Sequence, residues 1–109
     1  MNNVPRKINK ALHEYAGVAY EAELRKELEA LSAKFDEWKS NQIDSHELTE
    51  AIHRFHNGPA RDLYKKYNNV PLDLVVAHAI VTGLLDRDKI PAEVLGYLGN
   101  AIAFYENEK

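Results

Sequence analysis

The chain has no cysteine. That removes disulfides, thiolate nucleophiles and cysteine-ligated zinc together, and it fits a reducing, cytosolic setting. Long apolar runs are missing as well: none, residues 74–77 included, comes near a membrane span. Positive charge is not in excess. Fourteen Lys and Arg stand against 17 Asp and Glu, a net charge of −3. General nucleic-acid binding, which needs a basic face to displace phosphate counterions, is therefore not expected. No apolar segment follows the basic residues of MNNVPRKINK, so the N-terminus does not read as a secretory leader. No glycine-rich phosphate loop follows a strand, and no serine or threonine sits in a nucleophile elbow. With these classes set aside, the expectation is a soluble, cytoplasmic, non-catalytic chain with neither nucleic acid nor membrane as partner.

What is present is ordinary globular material: 109 residues, 45% apolar and 28% charged. That suits one domain over 1–109 with a single core. Almost all of it carries helical periodicity. In residues 6–39 apolar side chains recur at Ile8, Leu12, Tyr15, Ala19 and Ala22, then at Leu24, Leu28, Leu31, Phe35 and Trp38. Steps of three and four define an amphipathic helix, whose start Pro5 suits. The stripe changes phase between Ala22 and Leu24, and Gly17 costs about 1 kcal/mol against alanine inside a helix. A single long helix that bends near the glycine is the expectation, with two abutting helices as the other option.

Residues 72–85 are apolar nearly all round, as in a helix surrounded by others. Pro91 opens a last helix to Tyr105, in which Gly96, Gly99 and Ala103 form a row of small residues suited to close approach by a neighbour. Residues 106–109 read as a frayed tail. The fold class predicted is all-α, a compact bundle of about five helices with a long N-terminal helix.

Residues 43–67, IDSHELTEAIHRFHNGPARDLYKKY, hold three of the five histidines and most of the local punctuation. Asp44 and Glu47 have capping-box spacing, which opens a helix. Asn57-Gly58 offers a left-handed stop at its end, and Pro59 suits the first turn of the next helix. On the helix between them His46, Glu50 and His53 fall within about 60° of one another, opposite Leu48, Ile52 and Phe55. Two imidazoles and a carboxylate on one stripe can hold a divalent transition metal if another helix completes the shell. The same residues equally serve as a solvated face or an oligomer contact. After the helix, His56, Arg61 and Tyr64 are candidates for contact with an anion or small ligand. A helix start carries partial positive charge, and Arg61 adds to it.

Residues 36–48, DEWKSNQIDSHEL, bear partial similarity to an EF-hand calcium loop, with Asp36, Ile43 and Glu47 at the first, central and last positions. Trp38 stands where an oxygen ligand is wanted and Asn41 replaces the glycine of the bend, so the segment reads as a helix–loop–helix without calcium. His13-Glu14 belongs to no HExxH motif, because residue 17 is glycine. His78, inside the most apolar helix, is expected to be buried, neutral and hydrogen-bonded to a tyrosine or carboxylate. Six tyrosines and one tryptophan supply rings suited to an interface as well as to a core. The leading functional expectation is a protein-protein interaction or self-association module, working through the long first helix and exposed aromatics as a homo-oligomer or with a protein partner. The alternative is a metal-binding protein using His46, Glu50 and His53.

Overall fold

The computed structural model describes residues 4–108, and over them the chain is helical without strands. α1, Arg6–Lys39, runs uninterrupted for 34 residues, which is about 50 Å at the helical rise. It passes through Gly17 without a break. The predicted all-α bundle with a long N-terminal helix is what the structure shows.

Only the first half of α1 reaches the main core. Ile8, Leu12, Ala16 and Ala19 pack with Val75, Val76 and Ile80 of α4 (Leu72–Val81), with Val94 of α5 (Ala92–Tyr97), and with Leu98 and Ile102 at and within α6 (Gly99–Asn107). Leu85 and Ile90, flanking a 3₁₀ turn at Arg87–Lys89, close the cluster. Beyond Ala22 the helix changes partner. Its second half lies along α2 (Ser45–Phe55) and α3 (Arg61–Asn69), which come back antiparallel to it. The two apolar stripes of α1 point roughly 160° apart at 100° per residue. The phase change therefore marks a handover between neighbours on opposite faces of one continuous helix, not a junction between two.

The turn between α1 and α2 is tightly specified. Asn41 adopts a left-handed backbone, φ 62°. Its N–H bonds to Trp38 O and that of Gln42 to Glu37 O, the paired bonds that close a helix with a left-handed residue. The expected capping box follows: Glu47 N–H donates to Asp44 Oδ1 at 2.8 Å, and Asp44 N–H to Glu47 Oε1 at 3.1 Å. Trp38 Nε1 spans the connection to Ser45 Oγ at 3.0 Å. Asp36 and Trp38 are helical residues, so the stretch resembling a calcium loop forms no such loop.

Three boundaries differ from those read in the sequence. Asn57-Gly58 does not end a helix: His56–Ala60 is a π-helical turn that joins α2 to α3 as one rod, with Pro59 inside it. A proline lacks the N–H of the α ladder and crowds the carbonyl four residues back, and a widened turn relieves both problems. The apolar helix predicted over 72–85 ends at Val81 instead, because Gly83 turns left-handed at φ 82°. Its N–H returns to Ile80 O, and that of Leu85 to Ala79 O. The helix predicted over 91–105 is split at Leu98, where ψ is 2°. Gly96, Gly99 and Ala103 are exposed, and a Cβ on either glycine would meet nothing within 4 Å. They accommodate no neighbouring helix. α6 reaches Asn107, and Lys109 of the expected frayed tail lies outside the described residues.

With the rod counted as one helix, five helices form a packed end and a projecting two-helix arm. The molecule measures 54 × 28 × 26 Å with a radius of gyration of 17.6 Å. A globular chain of this length has about 13 Å.

Candidate functional site

The arm is thinly packed. Leu48, 6% exposed, is its one buried apolar residue among those described, and it stands apart from the main core. α1 and the rod touch along a single seam, so the apolar side chains on the flanks of that seam remain open. Leu28 is 46% exposed and Tyr64 61%; Phe35, Trp38 and Ile52 are exposed as well.

One flank deepens into a groove of about 610 Å³. Its walls are Tyr20, Leu24 and Leu28 from α1, with Phe55, Ala60 and Tyr64 from the rod. Its polar lining is His56, Asn57 and Arg61. The volume falls in the range of ordinary ligand pockets, but the groove is open along its length and runs toward further exposed apolar residues. His56, Arg61 and Tyr64, singled out in the sequence, are thus brought together on one wall. The α1 wall was read there only as core stripe.

A polar clamp fixes the groove's inner end, where α3 meets α1. Tyr67 O–H and Lys66 Nζ both donate to Glu23 Oε2, the latter at 3.0 Å. Tyr67 stacks flat on Tyr20, centroids 4.6 Å apart, and Lys66 lies over the Tyr67 ring at 5.2 Å. Burial opposes the charge on Glu23, but the hydrogen bonds from Tyr67 and Lys66, helped by the charges of Lys66 and His78, outweigh it and hold the carboxyl below its ordinary range. Burial and then the adjoining carboxylate push the Tyr67 phenol well above its ordinary value. A neutral phenol and an ionised carboxylate sharing one hydrogen bond serve to hold helices together.

His46, Glu50 and His53 are all exposed on α2. Glu50 lies 4.0 Å from Arg54, and His46 and Glu50 border a shallow cleft with Lys34 and Arg54. Among the described residues no three histidine or carboxylate side chains stand together as metal ligands would. His78 is half-buried instead of enclosed, with its ring edge-on to Tyr105 at 5.0 Å. It borders a polar cleft of about 450 Å³ with Glu23, Lys26, Glu27 and Thr82. Among the described residues no helix is long and apolar enough to cross a membrane.

No protein-family profile, no curated protein and no solved structure matches this chain.

Proposed function

We propose that the protein is a non-catalytic interaction module whose two-helix arm receives a protein surface in the groove between α1 and the α2–α3 rod. The observation that carries this reading is the imbalance of the arm. It keeps one buried apolar residue while Leu28, Phe35, Trp38, Ile52 and Tyr64 stay exposed. Contiguous apolar surface of that kind is uncommon on a chain that works alone, and aromatic side chains are enriched where partners meet. The polar clamp at Glu23 supports the reading because it holds the groove's walls at a fixed separation before any partner arrives, which lowers the entropy cost of binding.

The test uses Leu28→Glu and Tyr64→Glu, both at exposed positions, in sedimentation and in binding of an apolar fluorescent reporter. Wild-type protein is expected to associate or to take up the reporter, and each variant to lose that behaviour while keeping its helical circular dichroism. If neither property depends on either residue, the groove is not a binding surface.

A further inference from the structure

Resting on that reading, we infer that the occupant of the groove is a second copy of this chain. The two arms would pack flank to flank about a two-fold axis that runs along them.

The chain has surface to spare. The chain exposes 7701 Å². A globular monomer of 12.4 kDa exposes about 6,100 Å². The excess is roughly 1,600 Å² per copy, whereas a stable pair buries about 800 Å² from each partner. The surplus over the whole chain is therefore enough for an ordinary dimer, and the arm is where most of the large apolar side chains are left open.

The two edges of the flank also differ in charge. Along the flank α1 presents Glu21 and Glu29, with Arg25 already bound to Glu21 at 3.0 Å. The rod presents Arg61 beside the groove, with exposed Lys65 one turn on. One edge is net acidic and the other net basic. A two-fold axis parallel to the arm exchanges left for right and keeps the level along the axis unchanged. Each α1 then lies over the partner's rod, and the acidic edge of each copy meets the basic edge of the other. Glu21 stands nearest the level of Lys65, since its neighbour Tyr20 stacks on Tyr67 two residues further along the rod. The helices brought together run antiparallel, so the assembly is a four-helix bundle with Leu24, Leu28, Phe55 and Tyr64 at its centre. The flank is self-complementary, as a closed isologous contact requires.

Light scattering on the purified full chain across a dilution series tests this. The expected mass at high concentration is twice 12.4 kDa. Leu28→Glu and Tyr64→Glu should each return it to that of one chain, with circular dichroism and thermal melting reporting that the fold is kept. Lys65→Glu should weaken the pair at least tenfold, and Glu21→Arg in the same chain should restore most of it, because the two-fold axis brings both swapped charges together again. A single-chain mass at every concentration overturns the inference, and so does a pair that survives Leu28→Glu. A monomer that still takes up the apolar reporter in its groove refutes the second copy alone. A monomer that takes up none refutes the interaction reading with it.

Discussion

Gly83 and Asn41, with φ of 82° and 62°, set the ends of two helices through residues that tolerate a left-handed backbone. A side chain at Gly83 finds open space, so its cost is purely conformational. Gly83→Ala is expected to destabilise by about 1–2 kcal/mol in urea unfolding. Asp44→Ala, which removes the acceptor for Glu47 N–H, should cost about 1 kcal/mol. The Glu23 clamp gives a pH signature of both signs. The Glu23 carboxyl is held low in the folded chain, so its contribution is present above the unfolded value near pH 4.3 and is lost as the pH falls through the folded value. The Tyr67 phenol is held high, so its contribution is intact below about pH 10 and fades as the pH rises beyond it. In Tyr67→Phe both slopes of stability against pH should flatten; unchanged slopes would remove the clamp from the account. At this scale the sequence was readable where the partners are neighbours. Asp44 and Glu47 are three residues apart and announce themselves, whereas Glu23 and Tyr67 are 44 apart and no local pattern pairs them.

For α1 the periodicity was correctly readable as helix, and even the phase change was visible. Its meaning was not, since a stripe reports that a face is covered but not by which element. The overrun of α4 has the same origin: Leu84 and Leu85 continue the apolar pattern, and Leu85 does enter the core, but from beyond the turn at Gly83. Asn57, Gly58 and Pro59 spelled an end and a beginning, yet the rod runs through them because a π turn satisfies the proline without releasing the chain. Gly17 lies in mid-helix, exposed and with nothing near its missing Cβ. Gly17→Ala should stabilise by about 0.5–1 kcal/mol and raise the melting temperature by a few degrees. A fall in melting temperature would mean that the helix needs a flexible point there.

Over the whole molecule, cohesion is uneven. The packed end encloses a cluster of fourteen buried residues, and the arm has Leu48 alone. Local opening is cheapest where few apolar contacts are lost. Backbone amides of α2 and α3 should therefore exchange with solvent faster than those of α4 in dilute protein, and slow as the concentration rises and the groove is covered. Exchange at equal rates in the two ends would contradict the division. Of the candidate site, the rod wall was found from His56, Arg61 and Tyr64. The groove itself was not, because a groove needs two walls and the second lies some forty residues upstream.

The π turn also acts as a vernier between the two ends of the rod. One additional residue in a turn rotates everything after it by about 100° relative to an unbroken α-helix. Counted without that offset, Tyr67 would lie about 100° away from the direction in which Leu48 faces α1. With it, the two align, and Tyr67 can reach Tyr20 and Glu23. The frame of the rod is thus set by a count of residues and not by the identity of any one of them. Deleting a single residue between 56 and 60 would let the rod close into an unbroken α-helix with the clamp still in register, whereas inserting one there would turn the clamp, and with it one wall of the groove, out of register.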